Sequence, residues 1–153
     1  MRKEKDELIM EEGVNYLCIS LGERQYQGHH FGQECYDDNS IEVYYREEDD
    51  DGWGAGGSEY ISTHDIRSMA DSIRQVLHRK TSETHYETEN DLMRISIRYD
   101  DLTDRCFFSV GLLETLMREY HITVEKSNLH ISELEEYITP FFEWERQHPI
   151  VKT

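Results

Sequence analysis

"REEDDDGWGAGG", residues 46–57, decides how the first half of this chain is read. Five consecutive carboxylates, Glu47 to Asp51, run into a segment where Gly52, Gly54, Gly56 and Gly57 surround Trp53. Counted from Glu47, the spacing acid-x-acid-x-acid-Gly matches the opening of a calcium-binding EF-hand loop. Counted from Gly52, Gly-x-Gly-x-x-Gly matches a dinucleotide-binding turn. The calcium reading fails at the twelfth loop position, where a bidentate glutamate should close the shell. Ser58 stands there, and Glu59 comes one residue too late. The dinucleotide reading fails because the next helical pattern starts only near residue 63, too far on for its N-terminus to hold a diphosphate. Five adjacent acids would also oppose that ligand. Like charges at this density keep a segment solvated, and the glycines loosen it. Residues 46–57 therefore read as a mobile acidic arm between a strand and a helix. Trp53 either folds back into the core or stands out as an anchor for a partner.

Outward from the arm, the hydrophobic period changes. Before it, "SIEVYYRE" (40–47) alternates Ile41, Val43 and Tyr45, the period of a strand. Earlier still, 14–21 alternates Leu17, Ile19 and Leu21. After the arm, Ile66, Met69, Ala70, Ile73, Val76 and Leu77 form an i, i+3, i+4, i+7 stripe, which predicts an amphipathic helix over 63–79. Ser62 and Thr63 are its capping residues, and Asp65 suits its positive end. Strands follow at 84–89, 92–99, 105–113 and 116–125, joined by tight connections. The last element, from Ser132, carries a buried stripe of Leu134, Tyr137, Ile138, Phe141 and Phe142. Ser132 with Glu135 suggests a capping box, and Pro140 should kink or interrupt the helix. The expectation is an α+β fold: an antiparallel meander with two amphipathic helices packed on one face, in a single domain spanning 1–153 with residues 1–12 a flexible N-terminus. No sequence repeat or linker divides the chain.

Composition narrows the function classes. Sixteen Lys and Arg stand against 33 Asp and Glu, a formal net charge of −17. Such a chain repels nucleic acid and anionic membrane surfaces and attracts basic partners over a Debye length of about 8–10 Å. Residues 1–13 lack the apolar stretch of a signal peptide, and no apolar run approaches the roughly 20 residues of a membrane span. The expected location is the cytoplasm. Cys18, Cys35 and Cys106 are widely spaced without a Cys-x-x-Cys pair, so they read as reduced, mostly buried thiols. His29 and His30, with Cys35 or Asp37, match no metal-ligand spacing, and neither a nucleophile elbow nor HExxH occurs. No cofactor, metal or catalytic residue is implied.

One pattern reaches beyond these elements. "YDDNSIEVYY" (36–45) leads into a strand, "GWGAGG" (52–57) crosses a glycine-rich stretch, and "EYISTHDIRSMADSIRQVL" (59–77) enters a helix. A strand meander and a C-terminal helix closing near His148–Pro149 complete it. Over residues 14–150 this order resembles the WapI-type and related small immunity proteins of bacterial polymorphic toxin systems. Ser40 stands where that family tends to carry an aromatic residue, and the proline common before its helix is absent. The resemblance implies a cytoplasmic, non-enzymatic protein that neutralises a cognate toxin by binding it. Together with the charge, it points to a basic toxin domain such as a nuclease as partner. The candidate contact residues are Asp37, Asp38, Glu47, Glu48, Asp49, Asp50, Asp51 and Trp53. The alternatives are an acidic adaptor domain, and an enzyme using His29, His30 and neighbouring acids.

Overall fold

The computed structural model describes residues 6–12, 15–25, 34–35, 38–47, 53–89, 92–113, 122–149 and 151–152. The chain runs β1 (Glu7–Glu12), β2 (Asn15–Gln25), β3 (Glu34–Cys35), β4 (Asp38–Glu47), β5 (Trp53–Ser62) and α1 (Thr63–Leu77). It continues through β6 (Glu83–Glu87), β7 (Met93–Asp100), β8 (Arg105–Leu112), β9 (Ile122–Leu129), α2 (Ile131–Gln147) and β10 (Val151–Lys152). The fold is α+β, as the two hydrophobic periods predict. The strands divide into two four-stranded antiparallel sheets, ordered β1-β2-β4-β5 and β6-β7-β8-β9, with a short β3–β10 ribbon. Four strands of one sheet followed by a helix therefore occur twice, an order that residue identities do not reveal.

Two segments correct the sequence reading. Residues 7–12, expected to be flexible, form edge strand β1, in register with β2 from Glu7–Ser20 to Glu12–Asn15. Leu8 and Met10 are fully buried there, and that burial holds the strand despite its glutamates. The glycine-rich half of the expected arm is also a strand. β5 pairs with β4 without interruption, from Asp38–Ser62 to Glu47–Trp53. Gly56 and Gly57 stand opposite Tyr44 and Val43. Glycine is a poor strand former alone, but ten residues of continuous pairing and bulky neighbours on β4 supply what its missing side chain cannot.

The inner faces follow the alternation. Leu8, Met10, Leu17, Ile19, Ile41, Val43, Tyr45 and Ile61 from the first sheet share one core with Met93, Ile95, Ile97, Phe108, Val110 and Leu112 from the second. Both helices pack on the inner face of the second sheet, α1 against β6 and β7 and α2 against β8 and β9, and they touch each other. Ser62 caps α1, its hydroxyl accepting from the Asp65 amide at 3.1 Å. At the other end Arg79 takes the left-handed backbone (φ 58°), and Lys80 N–H reaches Gln75 O at 2.9 Å. That closure usually uses glycine. Here the Arg79 guanidinium lies 3.9 Å above the Tyr99 ring, so the side chain returns part of the backbone cost.

In α2, Leu134, Ile138, Phe141 and Trp144 are buried. Phe141 packs edge-on to Trp144 with centroids 4.9 Å apart, and Phe108 meets both Tyr137 and Phe141. Trp144 Nε1 donates to the Asp6 carbonyl at 2.5 Å, tying this helix to the N-terminal strand. Two expectations change here. The N-cap is His130, whose amide donates to Glu133 Oε1 at 3.0 Å, so the box sits two residues earlier than Ser132–Glu135. The helix also runs through Pro140 without interruption. The aromatic burial on either side outweighs the single backbone bond that proline removes.

Candidate functional site

Alternation leaves the opposite face of the first sheet to solvent. The register sets its rows. Glu7, Ser20 and Glu42 share one, Ile9, Cys18 and Tyr44 the next, and Glu11, Tyr16 and Arg46 a third. On β5, Gly56 and Gly54 stand opposite Tyr44 and Arg46 and extend these rows without side chains. Tyr44 and Tyr60 are 48% and 45% exposed, large values for aromatic residues on a sheet. The Tyr16 ring meets Tyr44 edge-on, centroids 6.1 Å apart. Exposed Glu11 and Glu42 and half-buried Glu7 outnumber Arg46 on this face. The surface thus offers aromatic faces beside carboxylates.

Cys18 sits in the middle of it, its Sγ 3.9 Å from Glu7 Oε2. Burial pushes the Cys18 thiol up, and the Glu7 carboxylate adds to the shift. Burial likewise pushes up the thiol of Cys106. Both shifts favour the protonated thiol, with Cys18 half-buried and Cys106 buried.

Of the contact residues expected from sequence, the backbone register places Asp38, Glu47 and Trp53. Asp38 and Glu47 lie at opposite ends of β4, a separation of about 30 Å for a ten-residue strand. Trp53 opens β5 opposite Glu47. Asp37, Glu48, Asp49, Asp50 and Asp51 lie outside the described residues, as do His29 and His30. Tyr16, Tyr44, Tyr60, Glu7, Glu11 and Glu42 were not among the expected contacts. Tyr44 was legible in principle, since it alternates with buried Val43 and Tyr45. Tyr60 was not, because its strand reads as a loop.

The second sheet presents a different outer face. Arg94, Ser96 and Arg98 project from β7, and Arg105 and Phe107 from β8. Arg98 lies 5.0 Å over the Phe107 ring. Across the β6–β7 pair, Ser96 Oγ is 2.7 Å from His85 Nδ1, and His85 Nε2 is 2.5 Å from Glu83 Oε1. This has the outline of a nucleophile, base and acid. Its His85 and Glu83 side chains are 60% and 50% exposed on an open sheet, where water competes for each proton. The direct opposition of His85 and Ser96 in the register accounts for the contact.

Buried polar groups serve the fold. Asp65 accepts from the Tyr86 hydroxyl at 2.6 Å and the Glu89 amide at 3.3 Å, joining α1 to the end of β6. Burial, then the bond to Asp65, pushes the Tyr86 phenol up. His148 Nδ1 lies 2.7 Å from Asn39 Oδ1, and Asn39 Nδ2 donates to Ile61 O, which ties the end of α2 to the first sheet. Among the described residues, no group of three or more His, Cys, Asp and Glu could hold a metal ion. No described helix is long and apolar enough to cross a membrane.

No family model matches the chain, and no curated protein does. Among solved structures, one titled "Structure of the plant transcriptional regulator PBF-2" is similar over 94% of this chain and 90% of that one, with 9% sequence identity and a TM-score of 0.45. At that level the likeness carries no argument about this chain.

Proposed function

We propose that this protein is an immunity-type binding protein that occludes a basic toxin domain with the outer face of its first sheet. The observation that carries the reading is the pairing of exposed Tyr44 and Tyr60 with Glu7, Glu11 and Glu42 on one sheet face of a chain with net charge −17. Tyrosine faces accept guanidinium and ammonium groups by cation–π contact, and the carboxylates beside them complete the match to arginine and lysine. Tyrosine is also enriched among residues that dominate interface energetics. The β4–β5 hairpin carries this face toward the acidic connection 48–51, whose charge steers a basic partner into place. A nuclease suits such a surface, because its own is built to hold a polyanion.

The reading has a direct genetic and biochemical test. The gene should lie immediately downstream of one encoding a large toxin. Co-expression should rescue cells from that toxin's C-terminal domain, and the purified pair should form a stable complex. Replacing Glu47 to Asp51 by Gln and Asn should slow association and flatten its salt dependence while leaving the melting curve in place. Absence of both rescue and complex contradicts the proposal.

A further inference from the structure

Two irregularities of the second sheet meet at one place. The β8–β9 register slips between the pairs Cys106–Leu129 and Phe108–Lys126, so Ser127 and Asn128 together oppose the single residue Phe107. Asn128 takes the left-handed backbone (φ 57°), and so does Asp104 (φ 57°) in the turn that joins β7 to β8. Between bulge and turn lies a cavity of about 180 Å³, lined by Arg98, Arg105, Phe107, Thr103, Ser127 and Asn128. A bulge re-aims side chains and bends its strand. Here it brings Ser127 and Asn128 to the same cavity as Arg98 and Arg105.

Among the described residues, neither Arg98 nor Arg105 makes an ion pair, although acids outnumber bases twofold in the chain. Arg98 rests on Phe107 instead. Asp100 also lines the cavity, but its Oδ1 accepts from the Leu102 amide at 2.9 Å and so is held by the turn. Two arginines that form no ion pair, beside Thr103, Ser127 and Asn128 and with one Asp100 oxygen engaged by the Leu102 amide, suit an anion. Five donor-bearing side chains, Arg98, Thr103, Arg105, Ser127 and Asn128, line the cavity, more than the two oxygens of a carboxylate take up, so a tetrahedral oxyanion is the better match. The negative field of the whole chain opposes a polyanion, so the ligand is small.

We propose that this cavity binds a small tetrahedral oxyanion, either phosphate itself or the phosphate of a small phosphomonoester. The site lies on the second sheet and is independent of the toxin-binding reading. The test is a titration of the isotope-labelled full chain with sodium phosphate, and separately with glycerol phosphate, at constant ionic strength, followed by amide chemical shifts. Saturable shifts at Thr103, Arg105, Ser127 and Asn128 are expected with at least one of the two. Tighter binding of glycerol phosphate assigns the site to phosphomonoesters; tighter binding of phosphate assigns it to the free ion. Arg98→Gln and Arg105→Gln should each weaken binding by about tenfold or more. Arg94→Gln, on the same strand outside the cavity, should bind like the parent and keep the same spectrum. Arg105→Lys retains the charge without the planar fork and should fall between parent and Arg105→Gln. The proposal is overturned if neither phosphate produces saturable shifts in the millimolar range, if acetate produces the same ones, or if the Gln variants bind like the parent.

Discussion

On β4, Ile41, Val43 and Tyr45 face the core while Glu42, Tyr44 and Arg46 face out; on β7, Ile95, Ile97 and Tyr99 face the core while Arg94, Ser96 and Arg98 face out. The inner rows are interchangeable in kind: aliphatic side chains with one tyrosine at the end. The outer rows are not. One sheet presents tyrosines beside glutamates, the other arginines beside hydroxyls and a ring. The inner pattern fixes the register of each sheet, because a one-residue slip would turn every apolar side chain to solvent. The outer pattern leaves the sheet intact whatever it contains. Two similar frames can therefore carry two outer chemistries, the first proposed for a basic protein and the second for a small anion.

The sharpest way to break this division is through the inner rows. Phe108→Ala and Trp144→Ala should each cost about 3–5 kcal/mol of unfolding free energy in denaturant melts, because both side chains are fully buried in the shared aromatic cluster. Ile73→Ala, at the helix face between the sheets' cores, should cost about 2–5 kcal/mol. Losses near zero would mean that the core is not packed as described. The outer rows should behave oppositely. Arg98→Gln should change stability by no more than about 0.5 kcal/mol. Tyr44→Ser should cost somewhat more, about 0.5–1.5 kcal/mol, since it also loses the Tyr16 ring contact.

Alkaline pH separates a structural phenol from exposed ones. The Tyr86 phenol is raised above its ordinary value of 10.0 by burial and by its bond to Asp65. A raised value means that the folded state favours the protonated phenol. This contribution is complete below 10.0 and is lost as pH rises past it. Stability should fall above pH 10.0, and Tyr86→Phe should remove part of that fall. Part should remain, because Tyr16, Tyr99 and Tyr137 are also raised. A variant with an unchanged alkaline profile would show that Tyr86 does not hold α1 to β6.

How far the sequence foretells this structure depends on side chains. Strands β2, β4, β7 and β8 and helix α1 announce themselves because a large apolar residue marks every inward position. β5 cannot, since Gly54, Gly56 and Gly57 carry no side chain to reveal a period, and its acidic approach reads as a loop. β1 fails for another reason: Leu8 and Met10 are strong helix formers set among glutamates, and only pairing with β2 makes them a strand. The tail of β9 is obscured by its bulge, where Ser127 and Asn128 break the alternation. Of the candidate contact residues, only the charge of Glu47 to Asp51 was legible, and residues 48–51 lie outside the described residues. The tyrosine platform was not legible, because it exists only once β1, β2, β4 and β5 lie side by side.

Partner binding is proposed for the first sheet's outer face and not for the second's. The direct measurement is the dissociation constant of the complex with the neighbouring toxin's C-terminal domain, for the double variant Tyr44→Ser/Tyr60→Ser and for Arg98→Gln/Arg105→Gln, each checked for an unchanged melting profile against its folded population. The tyrosine pair should weaken the complex by about 2 kcal/mol or more, roughly thirtyfold, while the arginine pair stays within about twofold of the parent. A complex that tolerates the tyrosine changes and fails with the arginine changes would contradict the account and move the interface to the second sheet.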